Sequence, residues 1–276
     1  MLQNKCISIL ILLFCNIFIC SNIFSQKWGI TAKTGLSGYN GDLSFTQIPR
    51  GEQVHGSFAI GGFMHISPVF RLKALATFAK ISASDKNSSF FKRKRNLDFS
   101  SNIQELSLSW EYDYYNSKTT KGLVHYITGG IGVFHFNPTT IDRFGKTVQL
   151  QKIGTEGQYL PVGTPNRGRP YNLTQLNLLF GMGMYYRFNP QWSVGLEISG
   201  RLLFTDYLDD VSSSGYVNPG DFDEFGQFTA KFLSYRGDEL NPPEPRIFRG
   251  VPSNNDSYGL IQLTCSYTIF PKKSKN

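Results

Sequence analysis

The strongest constraint in this sequence is a two-residue alternation of apolar and polar side chains that recurs along most of the chain. In IQELSLSWEYDY (Ile103–Tyr114), the even positions from Leu106 onwards are apolar or aromatic, and the odd positions from Glu105 onwards are polar. Successive side chains of a β-strand point to opposite faces. The pattern therefore predicts a strand with one apolar and one polar face.

Eight segments carry this alternation, and no long helical pattern accompanies them. Their length suits a strand that crosses a membrane, which needs roughly nine to eleven residues. A ten-stranded alternative stays open, because Gly226–Arg236 could pair as an extra strand. The eight predicted strands are Trp28–Gly35, Ser57–Ile66, Phe70–Lys80, Ile103–Tyr114, Leu123–Phe136, Leu173–Phe188, Trp192–Phe204 and Ser257–Phe270.

The connections between these segments alternate strictly between short and long. The short ones are SPV, NSKTTKG and NPQ, whereas the others span about 36–56, 81–102, 137–172 and 205–256. Outer-membrane barrels combine tight periplasmic turns with long outer loops. The fold prediction is therefore an all-β, closed antiparallel transmembrane β-barrel of about eight strands, with both chain ends in the periplasm. A soluble sandwich has no reason to segregate its loops in this way.

Composition agrees with a barrel and excludes a bundle of membrane helices. Hydrophobic residues make up 40% of the chain and the mean hydropathy is −0.23, which is too polar for such a bundle. The apolar parity would face lipid and the polar parity the lumen, which eight strands leave just wide enough for side chains to fill. The charges expected to pair across this lumen are Glu105, Glu111, Asp113, Glu197 and Arg201.

Aromatic residues gather near both ends of the predicted strands. Near the outer ends they are Phe134, Phe136, Phe204 and Tyr207. Near the short turns they are Tyr112, Tyr114, Tyr185, Tyr186, Phe188 and Trp192. Girdles of aromatic residues mark the two lipid–water interfaces of a membrane barrel. The clusters are interpreted as such girdles.

The N-terminus has the features of an export signal. Lys5 precedes the apolar stretch Cys6–Cys20, and cleavage is expected after Ser25. The predicted organisation is a signal peptide over residues 1–25 and an outer-membrane barrel over 26–276. An uncleaved helix and a lipoprotein, which would need a smaller residue than Ile19, are the alternatives. Export excludes nucleic acid as a partner, and Cys265 remains as the single cysteine of 26–276, too few for a disulfide or a cysteine-based metal site.

Candidate catalytic residues are sparse, so no enzymatic activity and no cofactor are predicted. The four histidines are His55, His65, His125 and His135, and none belongs to a metal-binding pattern such as HExxH. A lipid-modifying barrel enzyme is the alternative, and it would need a histidine close to a serine and an acid at the outer leaflet. Only His135 is expected near that depth. A small porin or binding barrel is the other alternative.

Two charged stretches in the long loops allow more than one interpretation. FFKRKR (Phe90–Arg95) could contact lipopolysaccharide phosphates or form a solvated loop tip. The acids Asp206, Asp209 and Asp210 could bind a hard cation such as calcium, but their spacing does not match an EF-hand loop. A role in folding the last long loop is favoured, and no metal site is predicted.

Three motifs together resemble the PorG-type outer-membrane proteins of the type IX secretion machinery. They are GGIGVFHFNP (Gly129–Pro138), GTEGQ (Gly154–Gln158) and FTDYLDDVS (Phe204–Ser212), in the order associated with that family. The resemblance spans Trp28–Phe270. Its loop residues are Thr205, Asp206, Tyr207, Leu208, Asp209, Asp210, Gly154, Thr155, Glu156 and Gly157.

This chain departs from the family pattern at two loop edges. Tyr159 stands where a third glycine is expected, and DSYG (Asp256–Gly259) lacks a second aromatic residue before its tyrosine. Neither departure challenges the barrel.

The resemblance implies a structural role in protein secretion. PorG-type proteins are similar to membrane anchors or partners for a periplasmic ring of PorK and PorN, so the expected partners are outer-membrane lipid and such ring subunits. Only the short turns and the chain ends would reach the periplasm. The candidate partner contacts are Pro68, Asn116, Lys118, Lys121, Pro190, Lys272 and Lys273.

Overall fold

The computed structural model describes residues 27–43, 51–87, 90–115, 121–212, 214–237, 243–244, 247–250 and 255–270. The predicted signal peptide, residues 1–25, therefore lies outside the described residues. Among the residues that are described, no helix has the length and hydropathy needed to cross a membrane.

Eight long antiparallel strands form a closed barrel, as the alternation predicted. Each strand pairs with its neighbours around the ring, and β1 closes the circle by pairing with β10. Two short strands, β6 and β7, form a small hairpin outside the ring. The strands are β1 (Trp28–Asn40), β2 (His55–Ser67), β3 (Phe70–Ser84), β4 (Asp98–Tyr115), β5 (Gly122–His135), β6 (Thr139–Ile141), β7 (Thr147–Gln149), β8 (Thr174–Arg187), β9 (Trp192–Leu203) and β10 (Ser257–Ile269).

The described helices are short and lie in the long connections. They are α1 (Phe90–Arg95), α2 (Leu150–Ile153), α3 (Pro219–Glu224) and α4 (Phe228–Ser234), with 3-10 turns at Gly51–Gln53 and Asp85–Asn87. The ten-stranded alternative is wrong, because most of Gly226–Arg236 forms α4. Ala230 and Leu233 are buried three residues apart, a helical spacing rather than the period of two.

The short and long connections lie at opposite ends of the barrel. At the short-turn end, β2 joins β3, β4 joins β5 and β8 joins β9; the other connections lie at the long-loop end. The barrel wall is apolar on its outside. On β4, Leu106 is 69% exposed, whereas its neighbour Glu105 is 2% exposed. Such a belt would be unfavourable in water and suits hydrocarbon, where closure leaves no strand edge unpaired.

The aromatic girdle is present at the short-turn end and differs from expectation at the other. Most of the predicted members near the short turns are exposed on the barrel wall, among them Trp192 and Phe188. Tyr185 is buried in the lumen, so the prediction that it joins this girdle is wrong. Phe134 and Phe136 are completely buried, so the prediction that they join an outer girdle is wrong. Phe134 has the inward parity of its strand, between the outward-facing Val133 and His135.

Most of the buried apolar residues lie at the long-loop end. Inward side chains at the strand ends pack there against the described parts of the long connections 41–54, 85–97, 136–173 and 204–256, and together they form what we call the loop cap. Its core includes Tyr39, Leu43, Ile81, Leu97, Phe99, Ile103, Phe134, Phe136, Leu150, Tyr171, Leu203, Leu208, Val211, Leu233, Tyr258 and Leu260. The loop cap closes this end of the lumen.

Candidate functional site

A stack of ion pairs fills the lumen nearest the short-turn end. The carboxylate of Glu111 on β4 contacts both Arg71 and Lys73 on the neighbouring strand β3. Arg71 also reaches Asp113, with 3.1 Å between guanidinium and carboxylate, and the Tyr185 hydroxyl donates to Asp113 over 2.6 Å. All five side chains are buried. Each charge therefore depends on its partner rather than on water.

Two further ion pairs cross the middle and upper lumen. Lys33 on β1 donates to both carboxylate oxygens of Glu197 on β9 over 2.7 Å, and Tyr126 adds a bond of 2.9 Å. Arg201 on β9 contacts Glu105 on β4 over 3.2 Å. These pairs cross the lumen between strands that are not neighbours, β1 with β9 and β9 with β4, so they tie together strands that do not exchange backbone hydrogen bonds.

Tyr258 and Asn177 complete the environment of Glu105. The Tyr258 hydroxyl donates to this carboxylate over 2.6 Å and the Asn177 amide over 2.8 Å. The buried carboxylate of Glu105 thus exchanges its hydrogen bonds with water for hydrogen bonds with protein groups. The lumen is consequently a packed polar interior rather than an open channel.

Sequence reasoning named one half of this network and missed the other. Glu105, Glu111, Asp113, Glu197 and Arg201 all point into the lumen, where they were expected. The partner cations Lys33, Arg71 and Lys73 were not singled out, although all three have inward parity on their strands. The parity of β1 and β3 was the signal that could have identified them.

Two of the motifs, GTEGQ (Gly154–Gln158) and FTDYLDDVS (Phe204–Ser212), meet in one buried cluster within the loop cap. The Thr155 hydroxyl donates to the carboxylate of Asp210. The adjacent Glu156 accepts from the backbone N–H of Ser212 over 2.8 Å and from its hydroxyl over 2.6 Å. Arg249 bridges both motifs, since it contacts the Glu156 carboxylate over 3.2 Å and donates to the Asp210 carbonyl. Residues about 50 positions apart in the sequence thus form a single unit.

Backbone conformation explains the glycines and the final acid of these motifs. Gly154 and Gly157 have φ angles of 73° and 69°, in the left-handed region that glycine adopts without a steric penalty. Asp210 has a φ of 64°, which aspartate tolerates better than most residues. Other side chains at these positions would strain the turns that bring the motifs together.

A second group of acids lies beside the first, at the base of the loop cap. The Tyr39 hydroxyl contacts Asp209 over 2.6 Å and Asp256 over 2.8 Å. Asp256 also accepts from the backbone N–H of Leu208 over 2.9 Å, and Asp209 from that of Val211 over 2.9 Å. The two carboxylates hold the segment Thr205–Asp210, which we call the TDYLDD loop, onto the ends of β1 and β10.

Burial raises the pKa of the acids in these clusters, Asp209, Asp210 and Asp256. Burial raises the pKa of Asp210 to about 6, although Arg249 and the hydroxyls of Thr155 and Tyr171 oppose the change. The pKa of Asp209 is raised by burial and by the charge of Asp42, and that of Asp256 by burial and by Asp209. Among the described residues, no three His, Cys, Asp or Glu side chains are arranged to hold a metal ion. The acids of the cluster accept hydrogen bonds from Thr155, Leu208 and Val211, which join separate parts of the loop cap.

The remaining motif residues of the TDYLDD loop differ in burial. Leu208 is completely buried in the apolar core of the loop cap, and Thr205 is 7% exposed. Tyr207 is half-buried and stacks on Tyr171, with ring centroids 4.4 Å apart. Asp206 is half-buried as well. The motif thus places its apolar residue in the core and two of its acids, Asp209 and Asp210, in the polar clusters.

The basic stretch FFKRKR contributes partly to the loop cap. Arg95 is buried and forms a two-point ion pair with Asp85, at 2.6 and 3.0 Å. Lys92 donates to the Asp42 carbonyl over 2.6 Å. Arg93 and Lys94 are exposed on α1. The loop is therefore not simply a solvated tip, since Arg95 anchors it.

The histidines occupy four separate places. His135 is exposed, and its Nδ1 lies 3.0 Å from the Thr174 hydroxyl. The contact between a histidine and a serine is instead made by His55, whose Nε2 lies 2.6 Å from the Ser82 hydroxyl. Sequence reasoning did not single out that pair, because the two residues lie on different strands.

Three of the candidate partner contacts can be located. Pro68, Lys121 and Pro190 are exposed at the short-turn end. Asn116, Lys118, Lys272 and Lys273 lie outside the described residues.

A family model matches residues 5–156, which is more than half of the chain. Its description is "Domain of unknown function (DUF6089)". The chain belongs to the DUF6089 family. The matched region includes β1 to β7 and reaches Glu156, so it contains Gly154 and Thr155 but not the TDYLDD loop. No curated protein matches the chain.

Solved structures similar to this chain are outer-membrane proteins. Neisserial surface protein A (NspA) is 10% identical with a TM-score of 0.44, covering 88% of this chain and 97% of that chain. Ail, the attachment invasion locus protein of Yersinia pestis, is 9% identical with a TM-score of 0.40, covering 89% and 99%. A major outer membrane protein from Thermus thermophilus is 15% identical with a TM-score of 0.38, covering 89% and 100%. At these values the barrel assignment rests on the strand pairing of this chain itself.

Proposed function

We propose that this DUF6089 protein is a structural, non-enzymatic component of the type IX secretion system in the outer membrane. In this proposal it contacts or anchors a periplasmic ring of PorK- and PorN-like subunits. The observation that carries the proposal is that GTEG and TDYLDD, the motifs of the PorG-type resemblance, form one buried cluster. Motifs that build the same structural unit are more informative together than as separate short matches.

The filled lumen supports an anchor rather than a conduit. Four carboxylates and four cations pair inside the barrel, and the loop cap covers its long-loop end. A secreted protein could not pass through such an interior. The available surfaces are the lipid-facing wall and the two ends. With the short-turn end in the periplasm, that end is the surface a ring subunit would contact.

Deletion of the gene and an assay of cargo export test this proposal. Loss of export, restored by the wild-type gene, is the expected result. Affinity capture of the tagged protein should also recover the ring subunits. Normal export in the deletion strain would rule the proposal out.

A second candidate function, lipid modification, is favoured by one contact. The imidazole of His55 lies 2.6 Å from the Ser82 hydroxyl, the arrangement in which a histidine activates a serine nucleophile. A full triad also needs a group that orients the histidine. Ser82→Ala and His55→Ala, with His135→Ala as the comparison, should leave the acylation of the surrounding lipid unchanged under the secretion proposal. A changed acylation pattern in the first two variants would favour the enzyme.

A further inference from the structure

The positive charge of this protein is not spread evenly. Apart from Lys5, the chain has 27 basic and 20 acidic residues. The lumen contributes nothing to this excess, because Lys33, Arg71, Lys73 and Arg201 balance the four carboxylates of the ion-pair network. The excess must therefore come from the ends or the outer wall.

Counted along the sequence, the whole excess falls in the three short connections, the last residue of β8 and the two ends of the segment 26–276. Residues 26–27, 68–69, 116–121, 188–191 and 270–276, together with the last residue of β8, contain no Asp or Glu. Seven basic residues fall there, and without them the other segments have 20 basic and 20 acidic residues. The seven are Lys27, Lys118, Lys121, Arg187, Lys272, Lys273 and Lys275.

The described members of this group lie around the mouth of the barrel. Arg187 has inward parity at the end of β8, and it donates to the hydroxyl of Tyr185, a buried lumen residue, over 2.8 Å. The Lys27 ammonium lies 4.8 Å from the centre of the Phe270 ring. Lys121 is exposed directly before β5. A charge on the inward parity faces the mouth rather than the surrounding lipid.

The nearest acid does not neutralise this end. Asp113 is buried, and it already accepts from Arg71 and from the Tyr185 hydroxyl. Among the described residues at this end, the charges of Lys27, Lys121 and Arg187 are all positive, and charges of one sign attract an oppositely charged partner over about a Debye length.

We propose that the short-turn end is a docking surface for an acidic segment of a partner protein seated over the barrel mouth. This inference rests on the proposed function, and it adds the chemistry of the ring contact: carboxylates on the partner meet Lys27, Lys121 and Arg187. A partner over the mouth can reach Arg187, whereas lipid headgroups surround the barrel at its outer wall. Anionic lipid is therefore the competing explanation for the experiment to separate.

The test measures binding of a fluorescein-labelled poly-glutamate peptide to the full protein in nanodiscs of zwitterionic lipid. The variant reverses three charges at the short-turn end: Lys27→Glu, Lys121→Glu and Arg187→Glu. The matched control reverses three exposed charges at the long-loop end: Lys86→Glu, Lys146→Glu and Lys152→Glu. Because Arg187 contacts Tyr185, a second variant with Lys27→Glu and Lys121→Glu alone keeps the test valid if the triple variant does not fold.

The short-turn variants should weaken binding by about tenfold or more, and added salt should weaken wild-type binding. The long-loop control should bind like the wild type. Equal losses in both sets, or no binding by the wild type, would overturn the inference. It would also be overturned if the peptide does not bind while the short-turn variants lose retention on phosphatidylglycerol vesicles, since lipid would then be the partner. Normal export after gene deletion would instead remove the proposed function and leave peptide binding intact.

Discussion

The lumen and the loop cap are both closed to solvent, yet they are filled by opposite chemistry. The lumen holds buried ion pairs such as Lys33–Glu197 and Arg201–Glu105. The loop cap holds an apolar core, in which Phe136 stacks on Tyr171 with ring centroids 6.2 Å apart. Its buried acids lie beside that core, where Asp85 and Glu156 pair with arginines and Asp209 accepts hydrogen bonds.

The difference follows from what lies outside each region. An apolar side chain of the barrel wall can face hydrocarbon, so it gains little free energy by turning into the lumen. A polar side chain of the wall is unfavourable in hydrocarbon, so it faces the lumen. Around the loop cap, the alternative is water, and burial of apolar surface is strongly favourable. The same chain therefore has a polar interior within the barrel and an apolar core within the loop cap.

The largest effect is expected from the lumen. Glu111→Gln removes one charge and leaves Arg71 and Lys73 buried without it, which should cost about 3–5 kcal/mol of the free energy of unfolding. Urea unfolding of the protein in lipid vesicles, followed by tryptophan fluorescence, measures this. Glu224→Gln, at an exposed position, is the control, and adding Lys73→Met to Glu111→Gln should recover part of the loss. A cost below about 1 kcal/mol would mean that the stack is not a stabilising unit.

The next largest effect is expected in the loop cap, and it tests whether the loop cap unfolds independently of the barrel. Leu208→Ala opens a cavity in the core of the loop cap and should destabilise it by about 2–5 kcal/mol. Limited proteolysis should then cleave the long connections faster, while urea unfolding of the barrel stays close to that of the wild type. Val162→Ala, at a residue 92% exposed, is the control. If Leu208→Ala weakened the barrel as much as the loops, the two regions would form one cooperative unit.

A pH effect should be confined to the loop cap. The pKa of Asp210 is about 6 in the folded protein, above the ordinary value of about 3.9. The folded state therefore binds the proton more readily, and the loop cap should gain stability as the pH falls from about 6 to about 4. Two pKa units correspond to at most about 3 kcal/mol.

Protease resistance of the long connections at pH 7.5 and pH 5 measures this change, with a protease active at both values. Asp210→Asn should reduce the difference, because its amide does not titrate. Faster cleavage of the wild type at the lower pH would contradict the predicted sign.

The smallest effect is local. The side chain of Asn218 accepts from the backbone N–H of Gly220 over 3.0 Å and caps the start of α3. Asn218→Ala should cost about 1 kcal/mol at that helix. Hydrogen exchange should become faster within α3 and stay unchanged in β9. Asn172→Ala, at another exposed position, should have no such effect.

Much of the fold could be predicted because alternation is a local signal. It located all eight barrel strands, although β1 extends to Asn40 and β4 begins at Asp98, beyond the predicted limits. It failed for Phe134 and Phe136, since a position near a strand end was taken as a sign of the lipid interface. At a strand end, the odd or even position of a residue along the strand is the better guide, because it decides whether the side chain faces the lumen or the lipid.

The candidate site was less predictable, because its partners are distant in sequence. Glu105 and Arg201 were both expected in the lumen, but their pairing depends on how the barrel closes and on the register of its strands. Similarly, Thr155 and Asp210 belong to different long connections. Nothing in either motif indicates that they touch.

The sequence by itself determined which residues form strands, which side of each strand is apolar, and that short and long connections alternate. These properties depend on neighbouring residues and on the geometry of an extended chain. Only the tertiary structure decided which cation meets which carboxylate, that Phe134 and Phe136 lie inside, and that two loop motifs share one cluster. Those outcomes depend on ring closure, which brings residues from non-neighbouring strands and from separate loops within hydrogen-bonding distance.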